Sequence, residues 1–215
     1  MSRPEVFERI HADYLEKVAG LDFTAIAERL AVTATPDEVV VPLFGFDHRI
    51  SAQGVWGHCG QRPSHAVGVI LFKYLLMCPR EAPGDAAWVT YKDFKDAAPF
   101  AGGFLNTAEK PIADRFSGRL DELETACRKL NGQPAAMEAS SDLSVRFQAL
   151  PKVPVVLLFN DHDEDFPAGA TVLFERRARH YLDMECLAMI GMVLARWLAR
   201  HGETPPPWET DQELL

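Results

Sequence analysis

The run Val153-Pro-Val-Val-Leu-Leu-Phe159 constrains this chain more than any other segment. It is continuously apolar, with no polar residue to face water on alternate positions. A run of this length and composition reads as a strand covered on both faces, and therefore central in a sheet. Suitable neighbours lie close by. Residues 143–149 alternate apolar and polar, and Thr171-Val-Leu-Phe174 follows the acidic loop 161–165. Upstream, Val39-Val-Val-Pro-Leu-Phe44 is β-branched and aromatic. Its Pro42 cannot donate to a ladder and belongs at an edge or bulge. Gly45 permits a tight turn into Phe46-Asp-His-Arg-Ile50, so residues 39–50 predict a hairpin. Trp88-Val-Thr-Tyr91 is a further short strand.

Helical periodicity fills much of the rest. Ser2 and Glu5 form a capping box before Phe7, Ile10, Tyr14, Leu15 and Val18. Asp22 caps a short helix that buries Phe23, Ile26 and Leu30. Ser64 caps an apolar helix running to about residue 77. Pro111 is expected in the first turn of a helix ending at Phe116, because an interior proline would clash with the preceding turn. Leu120, Leu123, Cys127 and Leu130 form one stripe. Asp183 caps the clearest helix, whose apolar run spans 186–195. The glycines at 54, 57 and 60, residues 80–87 and residues 99–103 read as loops. Regular βαβ alternation is missing. The fold class expected is α+β, a mostly antiparallel sheet packed against several helices, with a long buried C-terminal helix. Residues 1–202 are read as one globular domain and 203–215 as an extended or disordered tail.

Charge and cysteine usage narrow the function classes. The 215 residues carry a formal net charge of -9. A nucleic-acid binder needs a basic stripe to displace counterions. The densest basic run here, Glu175-Arg-Arg-Ala-Arg179, is short, so no nucleic-acid partner is expected. The apolar run 186–195 is about half of the ~20 residues a membrane-spanning helix needs. The N-terminus lacks a charged flank followed by an apolar run. A cytoplasmic protein with no membrane association is expected. Cysteines at 59, 78, 127 and 186 are too scattered for a cluster or a structural zinc site, so no cofactor is expected.

Two segments are candidate sites. In Gly54-Val-Trp-Gly-His-Cys-Gly-Gln-Arg-Pro-Ser64, glycines let backbone amides approach a ligand, and the helix start favours an anion. His58, Cys59, Arg62 and Ser64 are the ligand-binding candidates there, and Cys59 has basic neighbours able to lower its pKa. The ordinary reading is a glycine-rich connection into a capped helix. In the acidic loop, Asp161, Asp163 and Asp165 match the first three ligand positions of a calcium loop, but Phe166 and Val172 stand where glycine and glutamate belong. A solvated turn is the simpler account. Trp88, Phe94, Phe100 and Phe104 could line a pocket, although aromatic core is the plainer reading.

Several segments in order carry a family resemblance. They are Val41-Pro-Leu-Phe-Gly45, Tyr74-Leu-Leu76, Trp88-Val-Thr-Tyr-Lys-Asp-Phe94, Leu150-Pro-Lys-Val-Pro-Val-Val-Leu157, Asp163-Glu-Asp-Phe-Pro-Ala168, Leu173-Phe174 and Tyr181-Leu182. Together, over roughly residues 20–200, the chain resembles the bacterial and archaeal domain-of-unknown-function family 3786. The resemblance supplies no catalytic residues. It implies a setting in redox, corrinoid or one-carbon metabolism, because some members carry an added cysteine-rich iron–sulfur segment, which this chain lacks, and some are associated with corrinoid or one-carbon metabolism. The first functional reading is therefore an accessory or small-ligand-binding protein, with a small anionic ligand or a protein as partner. The alternative is an enzyme acting on a small anionic metabolite through residues 54–64.

Overall fold

The computed structural model describes residues 3–57, 60–137 and 141–200. The capping residue Ser2 and the tail 203–215 lie outside them. Two antiparallel sheets form rather than one. The first has strands β1 (Thr33–Ala34), β2 (Glu38–Leu43), β3 (Phe46–Ser51) and β4 (Gly54–Trp56) in that order. The second contains β5 (Trp88–Thr90), β6 (Gln133–Pro134), β7 (Leu143–Leu150), β8 (Val153–Asn160) and β9 (Gly169–Glu175), in the order β5-β9-β8-β7-β6.

The run at 153–159 takes the central place its composition demands. Val153, Val155, Leu157 and Phe159 join the common core, and Val156 on the opposite face is also buried. Pro42 is accommodated as expected. Strand β1 pairs only with Val39 and Val40, so the β2 edge alongside Pro42 is left free of a ladder partner. The 39–50 hairpin forms with Phe44 and Gly45 both at positive φ, 49° and 85°. A left-handed phenylalanine is uncommon. Here its ring is buried against Phe147 and Trp197, and its N–H donates to Ala149 O at 2.9 Å. The hairpin tip thus docks the first sheet onto the second. One loop reading needs correction. Gly54 opens β4, pairing with Ser51, because a two-residue turn after β3 lets the chain double back.

The helices are α1 (Arg3–Ala19), α2 (Phe23–Leu30), α3 (His65–Leu76), α4 (Ala98–Phe104), α5 (Lys110–Phe116), α6 (Leu120–Lys129) and α7 (Met184–Ala199). Helix α7 is the hub, touching α3, α4, α5 and α6. Leu187, Ile190, Leu194 and Leu198 are all fully buried on it. The expected loop at 99–103 is a second correction, since it lies inside α4. A π-helical turn over Leu105–Glu109 joins α4 to α5, marked by Lys110 N–H bonding to Leu105 O. Pro111 does lie in the first turn of α5. The widened turn before it makes room for a ring that lacks an N–H, so one helical rod runs from Ala98 to Phe116. Among the described residues no helix is long and apolar enough to cross a membrane.

Candidate functional site

The segment 54–64 is only partly described, and His58 and Cys59 fall outside the described residues. Ser64 is the N-cap of α3, its Oγ accepting from Val67 N–H at 3.4 Å. Arg62 extends toward Glu8 of α1 at 3.7 Å, with both side chains largely exposed. His65 stacks on Phe7 at 4.2 Å between ring centres. The cavity enclosed by these groups measures 40 Å³, room for a water rather than a metabolite.

The acidic loop is held by its own backbone. Asp161 Oδ1 accepts from Gly118 N–H at 2.7 Å and from His162 N–H at 2.8 Å. The Gly118 bond is the main cause that holds this carboxyl below its usual range. Asp163 Oδ1 accepts from the amides of Asp165 and Phe166 at 2.9 and 2.7 Å. Asp165 is exposed. Among the described residues, no three His, Cys, Asp or Glu side chains gather as a metal site. Cys127 and Cys186 are buried in the core, where burial pushes the Cys127 thiol up to about 12.

The structure brings together a different set of residues, on either side of the segment 90–105. On one side lies a cleft of 610 Å³, between the end of α3, the start of α4, the 3-10 turn Arg176–His180 and the start of α7. Met77, Phe94, Phe100 and Met184 give it apolar surface. Lys95, Arg179, His180, Asp96 and Glu185 give it charge and hydrogen-bonding groups. Asp183 at its base is already engaged. Its carboxylate pairs with Lys73 at 2.7 Å and accepts from Cys186 N–H at 2.9 Å. Burial pushes this carboxyl up, but the bonds to Lys73 and Cys186 outweigh that and hold it below its ordinary value. The same pairing raises Lys73. Arg179 Nε donates to His180 Nε2 at 3.4 Å.

On the other side lies a second cleft of 430 Å³, lined by Tyr91, Lys92, Phe104, Leu105, Glu109 and Thr171 among others. The wall between the clefts is firm. Tyr91 stacks on Phe104 at 4.3 Å, and its hydroxyl donates to Met184 O at 2.7 Å. Burial pushes the Tyr91 phenol up to about 12, so it stays a neutral donor. Glu109 sits half-buried on the π-turn, its Oε1 accepting from Val172 N–H at 3.0 Å. Burial raises its carboxyl above the ordinary range.

The aromatic segment 88–104 was the legible part of these clefts. Phe94 and Phe104 are indeed buried, yet each also lines a cleft, while Phe100 is 37% exposed. Glu109 carries no sequence signal, and Arg179 shows only as the end of a short basic run, because each reaches its cleft through contacts between elements far apart in the chain.

Comparison with known proteins adds one match. No curated protein matches the chain, and no solved structure does. The profile of the family described as a domain of unknown function, DUF3786, matches residues 22–197, which include both clefts and all strands of both sheets. The chain therefore belongs to the DUF3786 family.

Proposed function

We propose that this protein binds a small organic acid in the 610 Å³ cleft at the start of α7, without transforming it. The observation that carries the reading is the pairing of an apolar wall (Met77, Phe94, Phe100, Met184) with Lys95, Arg179 and His180 in one concavity. That size and mixture suit a small metabolite. Arg179 offers a planar fork for a carboxylate or phosphate. Asp183 does not oppose such a ligand, since Lys73 already answers its charge. Asp96 and Glu185 would take the ligand's own donors. An enzyme working through residues 54–64 has less behind it, because Arg62 extends toward Glu8 and Ser64 caps α3. The redox or corrinoid setting implied by the family resemblance belongs to the same proposal and extends the range of compounds to be screened.

The test is a thermal-shift screen of carboxylated and phosphorylated metabolites, followed by calorimetry on any that raise the melting temperature. Arg179 is exposed, so Arg179→Ala should leave folding intact. It should weaken binding by about 1–3 kcal/mol, the scale of a lost charged hydrogen bond. A ligand that binds wild type and Arg179→Ala equally well does not use this cleft, and the reading then fails.

A further inference from the structure

The second cleft is independent of the first reading. Its polar groups differ in what they have left to offer. Tyr91 and Thr90 are committed, the one to Met184 O and the other to Asp93. Glu109 is committed through one oxygen only. Val172 N–H fixes Oε1, and among the described residues no donor reaches Oε2. The bond to Val172 also locks the carboxylate in place, so its free oxygen is a preorganised acceptor rather than a mobile surface group. Lys92 stands on the same cleft, exposed; its charge acts on Glu109 and Asp93, but among the described residues it forms no direct ion pair. Phe104 and the half-exposed Leu105 supply an apolar surface alongside them.

A fixed carboxylate and an exposed ammonium with no direct ion pair between them, sharing one 430 Å³ cleft with an apolar wall, specify a ligand of complementary layout. The π-turn is what makes this possible. It widens the turn of the rod that carries Glu109, and such turns are frequent at functional sites. We infer that the Glu109 cleft is a binding site for a small zwitterion, an apolar amino acid, with its ammonium on Glu109, its carboxylate on Lys92 and its side chain against Phe104 and Leu105. The site takes charge of both signs, unlike an amine or an acid site. It therefore discriminates against compounds that have lost either end.

The experiment is calorimetry of the full chain with L-leucine, L-methionine and L-phenylalanine. Each is run beside its N-acetyl derivative, which lacks the ammonium, and its amide, which lacks the carboxylate. At least one free amino acid should bind, with its N-acetyl derivative weaker by tenfold or more and its amide weaker by severalfold. Glu109→Gln should repeat the tenfold loss, and Lys92→Met, at an exposed position, the smaller one. Circular dichroism melts check that both variants fold. Binding of a free amino acid that survives both substitutions in folded protein would overturn the inference. So would binding of the N-acetyl derivative as tight as the parent, or no binding of any of the three at millimolar concentration.

Discussion

The strand–helix core around β8 and α7 and the helical rod from Ala98 to Phe116 are held by different logic. In the core, local pattern and tertiary burial agree. Strand β8 is apolar throughout, and α7 carries a side-chain cap from Asp183 and a face of fully buried aliphatics. In the rod they conflict. Residues 98–104 read Ala-Pro-Phe-Ala-Gly-Gly-Phe, with two glycines that each cost a helix roughly 1 kcal/mol relative to alanine. No side chain caps α4. What holds the rod is contact with α7. At Gly191 the two helices approach so closely that an added Cβ would sit 2.9 Å from Ala108 Cβ and closer still to the Phe104 ring. The comparison shows a helix imposed by its neighbour beside one written into its own sequence, and both clefts border the imposed one.

If α7 is self-sufficient and central, damage to its buried face should have the largest effect. Leu194 is fully buried in the shared core. Leu194→Ala removes its packing and leaves a cavity, at a cost of about 2–5 kcal/mol. Urea denaturation should show a lower midpoint with an unchanged slope. A loss below about 1 kcal/mol would mean that α7 is less central than its burial indicates.

The rod's dependence on α7 can be broken at one residue. Gly191→Ala should push Phe104 and Ala108 away, with an overpacking cost of about 1–3 kcal/mol set against the roughly 1 kcal/mol that alanine gains in a helix. The net expectation is a modest destabilisation. Amide-exchange protection should fall over residues 98–109 more than over β8. Gly68→Ala is the matching control. Gly68 lies inside α3, where an added Cβ meets nothing within 4 Å. The same substitution there should stabilise the protein by up to about 1 kcal/mol. Equal effects at the two sites would remove Gly191 as the determinant of the rod.

This contrast also explains what the sequence made legible. The hairpin at 39–50, strands β7, β8 and β9, and the capped helices α2, α3 and α7 follow from alternation, continuous apolarity, or Asp and Ser at helix starts. Those signals are local. Helix α4 was hidden because Pro99, Gly102 and Gly103 are turn residues by any local measure, and only the groove at Gly191 reverses them. Strand β4 was hidden because glycine at its start, with φ at 147°, reads as loop until Ser51 is opposite it. The clefts were least legible of all. Glu109 meets Val172 across 63 residues of chain, and Tyr91 meets Met184 across 93. One cation of the first cleft, Arg179, was visible only as part of a short basic run.

The smallest expected effect falls on Glu109, and its sign distinguishes a carboxylate the rod tolerates from one it needs. Burial raises this carboxyl above its unfolded value, despite the Val172 N–H and the Lys92 ammonium, which both favour the charged form. The folded state therefore holds the proton more tightly than the unfolded state does. For a group raised in this way, its contribution to stability is fully present below the ordinary glutamate range. It is lost as pH rises through the higher folded value. Glutamine keeps an oxygen for Val172 N–H and has no charge to desolvate. The stability of wild type relative to Glu109→Gln should thus decline as pH is raised from about 4 and then level off once the carboxyl is ionised in both states. Thermal melts of the two proteins across that range give the difference directly. A difference that grows in wild type's favour with rising pH would show that the ionised carboxylate is stabilised in the fold. The π-turn would then be held by that charge rather than bearing its cost.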